Sequence, residues 1–153
     1  MSCEKEKTSN FPGPKGLGIV LINEIGENLF NLETENSIDF DKVQNLYLID
    51  GEYVPQYHGN LDHPKLCDIF DSEQKIGNFL GITPSEHFNE EGLSTTVIDW
   101  GNGDSDTIVA SMDSYTKLPY SEFWYNGILM EDLPKKNFSE ENDDYYYEIQ
   151  KEY

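Results

Sequence analysis

Apolar positions along this chain fall into short runs separated by Gly, Asn, Asp and Pro, a spacing that suits strands better than amphipathic helices. Leu17 to Ile22 is continuously apolar and rich in β-branched residues, so it predicts a short buried strand. Leu46 to Ile49 is a second run, closed by Asp50-Gly51. That pair favours a tight two-residue hairpin returning through Glu52-Tyr53-Val54. Leu93 to Trp100 alternates apolar and polar side chains, Gly101-Asn102-Gly103-Asp104 turns, and Asp106 to Ala110 returns. Phe123-Trp124-Tyr125 and Ile128-Leu129-Met130 flank Asn126-Gly127, which predicts a last hairpin. Between Pro55 and Glu91 the pattern is less regular, with Ile69-Phe70, Ile76 and Phe79-Leu80 spaced by polar residues.

These elements predict a mainly β fold, an antiparallel β-sandwich of immunoglobulin-like or transthyretin-like type. The domain is expected over residues 17–134. Residues 1–16, with two Pro and two Gly among polar side chains, read as a flexible spacer, and residues 135–153 as an acidic, Tyr-rich tail. The 153-residue length suits one domain with a single core.

Charge narrows the partners. Thirty Asp and Glu oppose ten basic residues, all of them Lys, for a net charge of −20. Such a surface repels nucleic acid and anionic headgroups and attracts cations or a basic partner. The two cysteines, Cys3 and Cys67, make no disulfide framework. No apolar run reaches the roughly 18 residues needed to cross a membrane.

The opening Met1-Ser2-Cys3, followed by the polar stretch Glu4 to Asn10, resembles the cleavage junction of bacterial lipoproteins, in which the cysteine becomes diacylated. Three further segments resemble uncharacterised lipoproteins of Bacteroidetes-type bacteria: Gly16 to Phe30, Asn36 to Phe40 with Leu46 to Glu52, and Asp104 to Ile108 with Phe123 to Leu129. The resemblance implies strands and turns, lipid attachment at Cys3 and a cell-envelope address. It brings no catalytic residues.

Several clusters have the right residue types for chemistry. Asp99, Asn102, Asp104 and Asp106 crowd one turn, as calcium ligation would require, although Asp, Asn and Gly also dominate turns for backbone reasons. His58, Asp62, His63 and Cys67 include zinc-ligand types without a zinc-site spacing. Tyr115, Tyr120, Trp124 and Tyr125, with Phe123, would form a stacking platform for a sugar or peptide if exposed, and would be core if not. Gly13, Gly16 and Gly18 precede the first strand and are not followed by Gly-Lys-Ser/Thr, so they make no phosphate loop. No Gly-x-Ser-x-Gly elbow is present.

The expected function is therefore that of a non-catalytic envelope lipoprotein, at the outer membrane or its periplasmic face. Its sandwich would bind a protein or glycan, and its lipid would hold it to the membrane. The other reading is a cytoplasmic acidic immunity or inhibitor protein that covers a basic toxin or nuclease.

Overall fold

The computed structural model describes residues 16–71, 77–112, 120–139 and 144–153. It is mainly β, with strands arranged in two sheets. The five-stranded sheet runs β10 (Lys135–Ser139), β11 (Asp144–Gln150), β1 (Leu17–Ile22), β5 (Asn78–Ile82) and β4 (Cys67–Asp71). The six-stranded sheet runs β3 (Glu52–Pro55), β2 (Gln44–Ile49), β6 (Leu93–Asp99), β7 (Ser105–Met112), β8 (Tyr120–Tyr125) and β9 (Ile128–Leu129).

Turn chemistry sets the hairpins. Asp50 and Gly51 both take positive φ, 51° and 84°, and Asn126 and Gly127 do likewise at 50° and 86°. Paired left-handed residues match the right-handed twist of the flanking strands, so both two-residue turns close as the sequence predicts. The β6–β7 hairpin is also present, in register from Leu93 opposite Ser111 to Asp99 opposite Ser105.

The two sheets share one core. Leu17, Ile19 and Leu21 of β1 and Leu80 and Ile82 of β5 cluster with Ile98, Ile108 and Tyr125 from the other sheet. Trp100 and Phe30 join them, with ring centroids 6.0 Å apart. Val20 points the opposite way and packs with Phe79 and Tyr146 in a second, smaller cluster. Burial on both faces explains why β1 is continuously apolar while β6 and β7 alternate.

Toward β2 the interior turns polar and is bonded accordingly. The Ser85 amide donates to Thr96 Oγ1 at 2.8 Å, Ser94 Oγ donates to the Ser85 carbonyl at 2.7 Å, and Tyr47 Oη donates to the Thr83 carbonyl at 2.5 Å.

The expected mainly β sandwich is present, with two sheets built largely of antiparallel pairs, and the expected tail is corrected. Residues 135–153, read as a tail, contribute β10 and β11, and β11 lies inside the sheet between β10 and β1. Tyr147 and Ile149 pack against the main core and Tyr146 against the smaller cluster, so the alternation that looked like a tyrosine-rich tail is the two-faced pattern of an internal strand. The sandwich is also not wholly antiparallel. β1 and β11 pair in parallel, Ile19 opposite Tyr147 through Ile22 opposite Gln150.

Gly101 has no room for a side chain. Its φ is +79°, and a Cβ there would lie 2.7 Å from the Lys42 carbonyl oxygen. Gly103 has φ +93° but open space around it. Gly101→Ala is expected to destabilise the fold by well over the ~1 kcal/mol expected for Gly103→Ala, since only the first adds a backbone clash to the left-handed strain. Urea unfolding of the two variants side by side measures the difference.

Candidate functional site

Asp106 occupies an inward position of β7, where alternation with Ile108 and Ala110 buries it to 1% exposure. A carboxylate there is costly unless every oxygen is matched. The fold supplies four donors. Oδ2 accepts from Trp100 Nε1 at 2.9 Å and from Tyr125 Oη at 2.5 Å. Oδ1 accepts from Asn126 Nδ2 at 3.0 Å and from Lys151 Nζ at 2.6 Å. The same ammonium lies 2.8 Å from Asp104 Oδ2, which also accepts from Tyr153 Oη at 2.7 Å. The residues that follow β11 are thus fastened to the β6–β7 turn.

The titration behaviour follows from this geometry. Burial raises Asp104, but hydrogen bonds from Lys151 and Tyr153 outweigh it and hold the carboxyl below its ordinary range. Burial lowers Lys151, and here too the bonds to Asp104 and Asp106 prevail and raise it. Tyr125 is pushed well above the usual phenol value by burial and then by the charge of Asp106.

The four residues with calcium-ligand chemistry are therefore divided between tasks. Asp99 Oδ1 accepts from the Gly101 amide at 2.9 Å, and Asn102 Oδ1 accepts from the Asp104 amide at 3.0 Å. Both cap the turn. Asp104 and Asp106 share an internal cation, the Lys151 ammonium. Among the described residues no group of three or more His, Cys, Asp or Glu is placed to hold a metal ion.

The aromatic platform needs correction. Tyr125 points into the core at 2% exposure, while its neighbour Trp124 is half-buried on the other side of the sheet. Adjacent strand residues cannot present one stacking surface. Tyr120 lies on β8, and Tyr115 and Cys3 lie outside the described residues.

Cys67 sits on β4 opposite Ile82 and is 3% exposed, and burial pushes its thiol up to about 12. It is not a thiolate near neutral pH. His63 Nδ1 meets Asp68 Oδ2 at 2.7 Å, with the imidazole 5.2 Å from the Phe70 ring.

A groove of about 700 Å³ crosses the outward face of the five-stranded sheet. Val20, Ile22 and Tyr146 contribute apolar surface to it, and Glu27, Asp71 and Glu148 bring carboxylates from three separate parts of the chain. Among the described residues no basic side chain lines it. Asn28 shapes one wall: its Nδ2 donates to the Asn78 carbonyl at 2.8 Å and its Oδ1 accepts from the Phe30 amide, also at 2.8 Å. The loop after β1 is thereby fastened to β5. Sequence reasoning missed this groove because its acids are far apart in the chain. It missed Lys151 because a lone lysine near a C-terminus carries no local signal.

Comparison with protein-family models, with curated proteins and with solved structures finds no match to this chain.

Two outcomes are expected from the Asp106 network. Asp106→Ala leaves Lys151 and Asn126 without a main partner and is expected to cost about 3–5 kcal/mol in denaturant unfolding. Stability contributed by Lys151 and Tyr125, whose folded values are raised, is fully present below about pH 10 and lost as pH rises beyond it. The contribution of Asp104, whose folded value is lowered, is present above about pH 4 and lost as pH falls. Unfolding midpoints followed from pH 3 to 11 should form a plateau with both shoulders, and Lys151→Met should flatten the acid shoulder.

Proposed function

We propose that the chain is a non-catalytic β-sandwich binding module that takes a basic partner in the acidic groove of the five-stranded sheet. The carrying observation is the groove itself, lined by three carboxylates and, among the described residues, by no base. Such a surface suits a lysine or arginine side chain, whose methylene stem packs beside the half-buried Ile22 while its charge meets the acids. The net charge of −20 draws a basic partner toward it.

We place this module at the cell envelope, held through lipid on Cys3, on the strength of the Ser2-Cys3 pair and the polar stretch that separates it from β1. The acidic inhibitor of a basic toxin or nuclease would use the same groove and differs in address.

A lysine-rich peptide should bind the full chain and lose about tenfold in affinity between roughly 50 and 300 mM salt, while an acidic peptide of equal length should not bind. The Glu27→Gln/Glu148→Gln variant should bind the basic peptide several-fold more weakly in the same titration. Unchanged affinity in that variant would remove the groove from the reading. Metabolic labelling with a fatty-acid analogue, with Cys3→Ala as control, tests the address separately.

A further inference from the structure

At its described strand positions the outward face of the six-stranded sheet is mainly apolar or hydroxyl-bearing, with His87 and Glu90 of the loop before β6 and Asp50 of the β2–β3 turn bordering it beside Leu48 and Leu93. Strand alternation puts Leu46 and Leu48 of β2, Val97 of β6, Val109 of β7 and Trp124 of β8 on the side away from Tyr47, Ile98, Ile108 and Tyr125. All five are half-buried, yet none belongs to either core cluster. The register aligns them in rows. Pro55, Leu46 and Val97 lie opposite one another across β3, β2 and β6, and Val109, Trp124 and Leu129 do so across β7, β8 and β9. Tyr53, 53% exposed, sits opposite Leu48.

The remaining outward side chains of the central strands are mainly Thr and Ser, among them Thr95, Thr107 and Ser111. Asp99 and Glu122 are the acids at outward strand positions among the described residues, and Asp99 ends its strand with a carboxylate oxygen turned to the Gly101 amide. In a chain with thirty acids this is a cleared surface.

We propose that this face is the interface between two copies of the chain. The charge pattern selects that occupant. A basic partner would gain from carboxylates on its contact surface, and this face offers almost none. Two copies that each carry −20 can approach closely only where both are uncharged. A broad sheet face is also self-complementary about a twofold axis, since sheets pack face to face about 10 Å apart. Six strands about 4.8 Å apart and roughly five residues long give a footprint near ~25 by ~17 Å. Covering it on both copies takes roughly 850 Å² out of water, the size of a small interface and suited to a weak, reversible dimer. Trp124 supplies the kind of large aromatic anchor that dominates such contacts.

Sedimentation equilibrium of the full chain tests the proposal. The expected result is a species of twice the 17.6 kDa chain mass at tens of micromolar. Added salt should tighten the association, because it screens the repulsion between the acidic remainders of the two copies. That response is opposite to the one expected for the basic peptide, so failure of one idea is distinguishable from failure of the other. Trp124→Glu and Val97→Lys should each be monomeric with a far-ultraviolet spectrum like that of the parent. A monomeric parent chain throughout the accessible concentration range overturns the proposal. So does a dimer whose protection from hydrogen exchange falls outside β2, β6, β7 and β8, or one that persists in a folded variant.

Discussion

Asp106 is the constraint on which the two-layer arrangement depends. It stands at an inward position of one sheet, and the cation that matches it follows an internal strand of the other. Only one alignment of β11 along β1 brings Lys151 to Asp106. A slip by one residue would turn β11 over, carry Lys151 to the other face and leave the Asp106 carboxylate in the interior without its cation. An ion pair of this kind adds little net stability over an apolar pair of the same size, but it makes competing registers expensive. Trp100 and Tyr125 extend the effect, since both are large core side chains whose polar atoms end on the same carboxylate. The polar centre therefore also sets how the surrounding aromatic core packs.

The outward faces of the two sheets present different chemistry. On the five-stranded sheet, Val20, Phe79 and Tyr146 form a small second cluster, and beside them the groove gathers acids from β4, β11 and the loop after β1. On the six-stranded sheet the corresponding face is apolar and hydroxyl-rich. Electrostatics makes these suitable for different partners, because a surface that gains from a basic ligand loses when pressed against its own copy. A chain with a uniform coat of acid would offer only the first.

Some of this was legible in the chain. Asp50-Gly51 and Asn126-Gly127 marked their turns because left-handed residue pairs are a local requirement. The alternation from Leu93 to Asp99 and from Asp106 to Ala110 marked a hairpin, and the all-apolar run of β1 signalled a buried strand. The same rule of alternation separates Trp124 from Tyr125, so the idea of one exposed aromatic platform misapplied a pattern that was already present. The acids of the β6–β7 turn were visible as a cluster, but not the lysine that joins two of them, because Lys151 is 45 positions along the chain from Asp106.

Local physics, meaning side-chain periodicity, turn propensity and net charge, was decided by the amino-acid sequence alone: a β protein, its hairpins and an acidic surface. Tertiary structure decided what depends on distant residues meeting. It drew the supposed tail into the middle of a sheet by a parallel pairing that no turn announces, and it divided the candidate calcium ligands between turn capping and an internal ammonium. It also gathered Glu27, Asp71 and Glu148 into one groove. Each of these is a non-local contact, favoured only once the chain has closed the loop between the residues concerned, and nothing in a short window of sequence records that closure.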